Sequence, residues 1–548
     1  MTVKFAYIKR KQPLRLLAAV MAGCMLSGFG TGGLSCTARA EDETVEGKDF
    51  GNGFPAGSIE VIETVDPARV SKINDGCFEG WGTSLCWWAN RLGYSDVLSE
   101  KAAELFCDPD TGLGLNILRY NIGGGDDPEH DHITRTDSMM PGFWADPSYN
   151  EETGEYRWEY DWTQDANQRN VLEKCMKAYG DGMIVEGFSN SPPYFMTVSG
   201  CSSGSKRAFQ DNLKKDAYEA FAQYLADVAE HFKEAWGITF QSMTPMNEPY
   251  TDYWMAFSPK QEGCHFDRGT SESAILTALS EKLKEKGLDE VIISGTDETG
   301  IDLQATSFSM LTPEAADVVG RIDTHSYQGS AREFLRNMAL KNGKNLWMSE
   351  VDGGDTIGGS KAGEMGAALW LAQRIMDDMN GLTPSAWVLW QVIDSHICAD
   401  GYLGRKDGGM VNINGGYWGT AVADHDREEI ILTQKYYAFG QFTRFIRPGS
   451  AIIEMGGQVL AAWDKEKGQI IIVAANCSDE TQIKAFDLGA FEGMRQGIAV
   501  RMIRTSGSME DGEHWAESEI PETGKDGFTA ELIPYSVSTF IVETAAGE

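Results

Sequence analysis

The sequence predicts an α/β fold in which a (β/α)8 TIM barrel is joined to a side β-sandwich domain. Eight short runs rich in β-branched and aromatic residues recur through the middle of the chain, and most are separated by segments with helical periodicity. The C-terminal part changes to short strands without long helices. A doubly wound open sheet would alternate in the same way, but eight repeats with charged and aromatic residues concentrated at the strand ends favour a closed barrel.

The barrel is assigned to residues 76–436. Its expected strands are, in order, 77–84, 116–123, 183–188, 239–248, 291–298, 321–327, 344–351 and 385–392. The clearest helix is expected over residues 212–236, where apolar side chains recur every three or four positions and form one stripe. Strands and helices therefore alternate as they do in βα units.

The side β-sandwich is assigned to residues 437–548. Its expected strands are 451–453, 459–463, 469–475, 482–487, 499–505 and 536–542, and glycine-containing or charged turns separate them. Residues 41–75 precede the first barrel strand, and the part from 58 to 73 has the composition of an extended segment. We expect this N-terminal segment to contribute to the sandwich.

The first 40 residues have the features of a secretory signal peptide. They begin with basic residues and no acid, continue with an apolar stretch from 16 to 29, and end in Ala38-Arg39-Ala40. A second possible cleavage site precedes Cys24, which would make the protein lipid-anchored. We expect a secreted or cell-surface protein, and no later apolar run is long enough to span a bilayer as a transmembrane segment.

Acidic residues strongly outnumber basic ones: 82 Asp and Glu stand against 47 Lys and Arg, for a formal net charge of −35. Such a surface repels nucleic acid and anionic membranes, and it suits an exported protein acting on a neutral or non-acidic polymer. We expect a monomer whose partner is a polysaccharide. The cysteines beyond the signal peptide are scattered and show no Cys-x-x-Cys spacing, so most are expected to be buried free thiols.

Two glutamates lie at the ends of strand-like runs: Glu248 in Thr-Pro-Met-Asn-Glu-Pro and Glu350 in Trp-Met-Ser-Glu-Val-Asp-Gly-Gly. On a barrel both carboxylates would emerge at one rim, where two acids can flank one sugar linkage. At a separation of ~5 Å, Glu350 would attack the anomeric carbon while Glu248 protonates the leaving oxygen. These roles require different pKa values, since Glu248 must stay protonated until it acts and Glu350 must be ionised. The alternative interpretation of Glu248 is a glutamate in a loop that forms a salt bridge.

Other polar and aromatic residues at strand ends are candidates for substrate binding. Asn247 can donate its amide to a sugar hydroxyl, and Arg119 could keep Glu350 ionised, or form a structural ion pair instead. Tyr327 could donate to Glu350, and His325 could contact substrate or be a satisfied polar residue. The remaining candidates are tryptophans whose flat faces could stack on pyranose rings or pack in the core: Trp87, Trp88 and Trp390.

The glycine-rich segment 121–130 lacks the Lys-Ser/Thr of a phosphate-binding P-loop and the spacing of a dinucleotide fingerprint. It is better interpreted as a substrate-binding loop. Its acids, with His130 and His132, could hold a metal, but no ligand spacing enforces this. We therefore assign no metal site and no cofactor.

With these residues in place, the chain resembles glycoside hydrolase family 30. The motifs that carry the resemblance are Phe78-Glu79-Gly80-Trp81-Gly82, Leu118-Arg119-Tyr120-Asn121, Ser189-Asn190-Ser191-Pro192-Pro193-Tyr194, Met246-Asn247-Glu248-Pro249, Trp347-Met348-Ser349-Glu350 and Tyr535-Ser536-Val537-Ser538-Thr539-Phe540. The resemblance implies a retaining glycosidase with Glu248 as acid/base and Glu350 as nucleophile, and it adds Asn190 to the substrate-binding candidates.

Within that family the first-strand motif and the Gly-Gly-Gly-Asp-Asp loop look most like the endo-β-1,6-galactanase branch, which cuts β-1,6-galactan side chains of arabinogalactan. β-1,6-Glucanase, glucuronoxylanase and glucosylceramidase activities occur on the same scaffold, so they remain alternatives. A non-catalytic glycan-binding protein and an inverting enzyme are the competing classes. The presence of both glutamates argues against the binding protein, whereas carboxyls ~6.5–9.5 Å apart would indicate inversion.

Overall fold

The computed structural model describes residues 47–51, 54, 56–491, 497–520 and 522–544. The expected signal peptide and the possible lipid anchor at Cys24 lie outside these residues. In the described part of the chain, no helix combines the length and the apolar character needed to cross a membrane.

The first eleven strands include the whole barrel. They are β1 (Val61–Thr64), β2 (Gly80–Ser84), β3 (Ile117–Asn121), β4 (Trp144–Asn150), β5 (Glu155–Tyr160), β6 (Ile184–Phe188), β7 (Ser242–Thr244), β8 (Ile292–Gly300), β9 (Val319–Gln328), β10 (Asn345–Val351) and β11 (Ala386–Leu389). All except β1, β4 and β5 run parallel in a closed barrel, in which β11 pairs with β2. Each barrel strand overlaps one of the runs expected from the sequence, so the predicted fold class is confirmed. β4 and β5 form an antiparallel hairpin in the connection after β3.

The helices of the described residues cover the outside of the barrel. They are α1 (Trp88–Leu92), α2 (Asp96–Phe106), α3 (Ala166–Tyr179), α4 (Tyr218–Trp236), α5 (Ser271–Glu285), α6 (Ile301–Met310), α7 (Pro313–Val318), α8 (Arg332–Lys341), α9 (Met365–Gly381) and α10 (Gln434–Thr443). The helix expected from residue 212 begins instead at Tyr218, because Leu213 pairs in a β-bridge with Thr197. It ends where expected, at Trp236, and the capping residue that follows is Gly237, whose positive φ of 68° suits glycine.

The remaining strands belong to a small sheet beside the barrel and to the sandwich. They are β12 (Ile393–Ile397), β13 (Ala421–Asp424), β14 (Glu429–Leu432), β15 (Ala451–Ile453), β16 (Val459–Asp464), β17 (Gln469–Asn476), β18 (Gln482–Asp487), β19 (Val500–Ser506), β20 (Glu513–Ile520), β21 (Gly527–Leu532) and β22 (Ser536–Glu543). The sequence did not indicate β20, whose Glu-His-Trp-Ala-Glu-Ser-Glu-Ile lies at the edge of its sheet and remains largely solvent-accessible. It also did not indicate β21.

The sandwich packs a six-stranded sheet, in the order β15-β16-β17-β22-β19-β20, against a three-stranded sheet, β1-β18-β21. Apolar side chains from both sheets, such as Ile472, Phe486, Phe528 and Phe540, fill the space between them. The strand β1, which precedes the barrel in sequence, pairs in parallel with β18. Both ends of the described chain therefore contribute to the same sandwich core.

Candidate active site

A cavity of about 370 Å³ opens at the carboxyl ends of the barrel strands, and both predicted catalytic glutamates line it. Glu248 lies in the turn that follows β7, whereas Glu350 is near the end of β10. Their side chains are largely buried, with residue exposures of 8% and 4%, respectively. One carboxylate oxygen of Glu248, one of Glu350 and one ring nitrogen of His325 lie within 4.8 Å of one another. The barrel thus brings together two acids that are 102 positions apart in the sequence.

Glu350 is held from below by Arg119 and from the side by Tyr327. The guanidinium Nη1 of Arg119 donates to Glu350 at 3.1 Å, and the Tyr327 hydroxyl donates to its other oxygen at 3.1 Å. Arg119 also pairs with Glu186 at 2.8 Å and with Asp297 at 2.5 Å. Because Arg119 is completely buried among these acids, it supports the carboxylate and does not reach a sugar in the cavity.

Glu248 accepts hydrogen bonds from two other side chains. The Tyr253 hydroxyl donates to one of its oxygens, and His325 Nδ1 lies 3.2 Å from the other. The backbone N–H of Glu248 donates to the carbonyl oxygen of Asp297 at 2.8 Å, which fixes the turn in which Glu248 has a positive φ of 47°. The acid after β7 is therefore oriented through the ends of β8 and β9.

His325 lies beneath both carboxylates and has no exposed surface, which favours the alternative of a satisfied polar residue over direct contact with substrate. Its Nδ1 is 3.2 Å from Glu248 and 3.5 Å from Glu350, and its Nε2 is 3.2 Å from Asp297. Burial opposes a positive charge on the ring, but the charges of Glu350 and Asp297 outweigh it and raise the pKa of His325 well above its ordinary value. A protonated His325 can therefore donate to the carboxylates on either side.

The two carboxyls have shifted pKa values in this ligand-free geometry. Burial raises the pKa of Glu350 to about 7, although the charges of His325 and Arg119 oppose the increase. Burial also acts on Glu248, but the hydrogen bonds from His325 and Tyr253 outweigh it and lower the pKa of that carboxyl. The acid that carries the raised pKa is thus Glu350, the reverse of the order expected from the sequence.

Aromatic rings form much of the cavity wall. Trp87 and Trp390 meet edge to face, with ring centroids 5.0 Å apart, and Trp418 lies 6.0 Å from Tyr327. Trp88 does not belong to this wall, and its position favours the alternative of core packing. It begins α1 with its side chain pointing into the core, where it packs on Phe106 and donates to a backbone carbonyl at 2.8 Å.

The two predicted amide residues have different positions. Asn247 lines the cavity, and its buried Oδ1 has no hydrogen-bond partner within the described residues. Asn190 is 1% exposed and lies behind the wall, where its amide donates to Asn121 at 3.3 Å. In this ligand-free geometry Asn190 therefore supports the wall from behind and does not face the cavity.

The loop that follows Glu350 is anchored by a buried ion pair. Lys435, on α10, donates to Asp352 at 2.7 Å and to two backbone carbonyl oxygens. The other oxygen of Asp352 accepts from the backbone N–H of Gly419 at 2.6 Å. The pair therefore fixes both the loop after Glu350 and the segment that brings Trp418 to the cavity.

Several residues of the site were missed from the sequence, and three of them contact the groups described above. Asp297 lies at the end of an expected strand, so its position on the shared rim was a usable signal. Tyr253 lies in the aromatic-rich stretch that follows Glu248, which suggests proximity without specifying a contact. Trp418 belongs to a long connection between β12 and β13, and no pattern in the sequence indicates that it returns to the cavity.

A barrel with two facing carboxyls and an aromatic cavity wall defines the class of (β/α)8 glycoside hydrolases. A model of O-glycosyl hydrolase family 30 matches residues 73–319. The chain is 33% identical to an endo-β-1,6-galactanase from Hypocrea rufa, over 87% of this chain and 94% of that protein. It is 26% identical to an exo-β-1,6-galactobiohydrolase from Bifidobacterium longum subsp. longum, over 92% of this chain but 39% of that protein. This protein therefore belongs to glycoside hydrolase family 30.

Solved structures agree with the fold. A conserved exported protein from Bacteroides fragilis matches with a TM-score of 0.65 and 18% identity, over 88% of this chain and all of that one. The catalytic domain of the family 30 xylanase C from Talaromyces cellulolyticus matches with a TM-score of 0.63 and 18% identity, over 88% of this chain and 99% of that one. At this identity the likeness concerns the fold alone.

Proposed function

We propose that this hydrolase is a secreted retaining enzyme that cleaves β-1,6-galactan side chains of arabinogalactan. The observation that carries the proposal is the facing pair Glu248 and Glu350, whose nearest oxygens lie within 4.8 Å across one cavity. Retaining glycosidases place their carboxyls about 5–5.5 Å apart, whereas inverting enzymes leave about 6.5–9.5 Å for a water molecule. The short separation supports direct attack by one carboxylate.

In the proposed double displacement, Glu350 is the nucleophile and Glu248 is the acid and base. An oxygen of Glu350 forms a bond to the anomeric carbon as the glycosidic bond breaks, and Glu248 gives its proton to the leaving oxygen. Glu248 then removes a proton from water, which attacks the anomeric carbon and releases Glu350. Arg119 and Tyr327 support this division of roles, because they hold both oxygens of Glu350 in fixed directions.

In the ligand-free state the pKa of Glu350 is raised and that of Glu248 is lowered, so a further group has to reverse this order before the first step. His325 is the group placed to do so. Glu350 must be ionised to attack, yet it carries the raised pKa when the cavity holds no sugar. His325 Nδ1 is only 0.3 Å farther from Glu350 than from Glu248, at 3.5 Å against 3.2 Å. A small movement would transfer its hydrogen bond to Glu350, which would lower the pKa of Glu350 and raise that of Glu248. We propose that bound sugar favours this movement.

The substrate assignment relies on the relatives and on the cavity wall. Two relatives that match over most of this chain act on β-1,6-galactans by name. Trp87, Trp390 and Trp418 offer flat faces to neutral pyranose rings. Arg135 also lines the cavity, but it is paired with Asp137 at 2.6 Å and with Asp394 at 3.1 Å, so its charge is compensated.

The test is digestion of de-arabinosylated arabinogalactan by the wild type, by Glu350→Gln and by Glu333→Gln. Glu333 is an exposed glutamate on α8 and serves as a matched control for the loss of one carboxylate. We expect the wild type and Glu333→Gln to release galactose oligomers and Glu350→Gln to release none. NMR of the first product should show the β-anomer, whereas the α-anomer would indicate an inverting enzyme.

Other outcomes identify the alternatives. If the wild type leaves galactan intact but cuts β-1,6-glucan, glucuronoxylan or glucosylceramide, the substrate assignment is wrong and the mechanism stands. If it cuts none of these but binds galactan, it is a glycan-binding protein.

A further inference from the structure

A second group of polar side chains lies at the rim of the barrel, outside the residues that line the glutamate cavity. It consists of Asp126, His130 and His132, in the connection between β3 and β4, and Cys201, in the connection between β6 and α4. We call these four residues the rim cluster. One potential ligand atom from each of them lies within 4.8 Å of the corresponding atoms of the other three. The sequence indicated that the acids near His130 and His132 could hold a metal, but it did not indicate that Cys201, 69 positions after His132, joins them.

The contacts in the rim cluster have the separations of atoms that share one metal ion. Asp126 Oδ2 is 3.2 Å from His130 Nδ1 and 3.4 Å from His132 Nδ1, and His132 Nε2 is 3.5 Å from Cys201 Sγ. Bonds of 2.0–2.3 Å to a tetrahedral ion place its ligands about 3.3–3.7 Å apart. His132 binds an ion through only one of its two ring nitrogens. The widest separation between the four ligand atoms, at most 4.8 Å, would therefore need to shorten by about 1 Å when the ion binds.

The surrounding backbone orients the cluster without occupying all of its donor atoms. The N–H of Ser202 donates to Asp126 Oδ1 at 2.9 Å, which leaves Oδ2 directed at the two histidines. The N–H of Phe257 donates to Cys201 Sγ at 3.3 Å. His132 Nδ1 is buried and makes no hydrogen bond, although a carboxylate oxygen lies 3.4 Å away. An ion between these atoms would satisfy it.

We propose that Asp126, His130, His132 and Cys201 form a binding site for Zn²⁺. Two imidazoles, a thiolate and a carboxylate are the donors that suit this ion, whereas Ca²⁺ and Mg²⁺ prefer all-oxygen sites. On binding, the Cys201 thiol forms a sulfur–zinc bond and loses its proton to water, so one proton is released for each ion bound.

A bound ion would join two rim connections that otherwise meet through hydrogen bonds. The connection that carries Asp126 continues to Arg135, which lines the glutamate cavity. The site is thus structural: it would stabilise the cavity rim and take no part in bond cleavage. This inference does not depend on which sugar the enzyme cuts.

The experiment measures zinc binding to the full chain after chelator treatment, by isothermal titration calorimetry and by metal analysis after dialysis. We expect one ion per wild-type chain. Cys201→Ser and His130→Ala should each weaken binding by about tenfold or more. Cys77→Ser is the control, because Cys77 is an exposed thiol away from the cluster, and it should bind as the wild type does.

Two other groups of side chains could bind zinc and must be separated from the rim cluster. They are Glu248-His325-Glu350 and Asp211-His265-Asp267. Binding that survives Cys201→Ser and His130→Ala but is lost in Glu350→Gln or Asp211→Asn would overturn the proposal, as would the absence of binding to the wild type.

Cobalt provides a test that does not require the variants to fold. Co²⁺ bound to the wild type should give a thiolate-to-cobalt charge-transfer band, because Cys201 is the sulfur ligand. A tetrahedral cobalt spectrum without that band would exclude Cys201 and refute the site as proposed.

Discussion

The buried ion pair behind the nucleophile's loop gives a prediction whose size follows from the structure. Lys435→Met preserves most of the side-chain volume but removes the 2.7 Å partner of Asp352 and the donor to two carbonyl oxygens. Both side chains are fully buried, so Asp352 would remain as an unpaired carboxylate. Breaking one side of such a pair costs about 3–5 kcal/mol, and we expect the free energy of unfolding to fall by that amount.

Urea unfolding followed by tryptophan fluorescence measures this loss. Lys361→Met is the matched control, since Lys361 forms an exposed pair with Asp479 and its removal should change little. The double variant Lys435→Met with Asp352→Asn should recover much of the loss, because it no longer buries an unpaired charge. A loss below about 1 kcal/mol, or a double variant no more stable than Lys435→Met, would contradict this explanation of how the loop is held.

Three further predictions concern activity. The value of kcat/KM should fall as the pH rises through about 7, because the two carboxyls then lose the one proton that they share and Glu248 has none to donate; a profile that falls instead as the pH decreases through 7 would contradict this order of the two pKa values. Tyr253→Phe removes a donor that lowers the pKa of Glu248, so the acid limb of kcat/KM should move to higher pH, and an unchanged limb would mean that this hydrogen bond does not tune the acid. Trp390→Ala should raise KM for galactan oligomers, because Trp390 lines the cavity. Trp88→Phe should lower the melting temperature and leave KM unchanged, because Trp88 packs in the core. A raised KM for Trp88→Phe would show that Trp88 contacts substrate.

Much of the barrel and the central pair of acids could be predicted because they depend on local pattern. β-Branched and aromatic runs of the right length specify strands, and an acid at a strand's carboxyl end must emerge at the shared rim. Glu248 and Glu350 satisfy both conditions. The sandwich strands with alternating apolar residues were found for the same reason, whereas the charged edge strand β20 carries no such pattern.

Side-chain direction was harder to predict. Trp87 and Trp88 are adjacent and have the same chemistry, yet one lines the cavity and the other enters the core, because α1 begins between them. The sequence left open whether His325 contacts sugar or is a satisfied polar residue, and its position on β9 directs it into the barrel, below the acids. The positions of Trp418 and Cys201 depend on where long connections return, which local periodicity does not encode.

The pairing of β1 with β18 has a consequence for how the protein can be divided. The chain passes from the sandwich into the barrel and back again, so two covalent crossings join the two parts. A C-terminal fragment beginning at residue 437 would lack β1, and the edge of β18 would be left with unpaired backbone groups. An N-terminal fragment ending at residue 436 would carry β1 without its partner. Neither half is therefore a natural unit for expression, domain exchange or fusion, and a circular permutation that opens a surface loop would preserve more of the native pairing than any truncation.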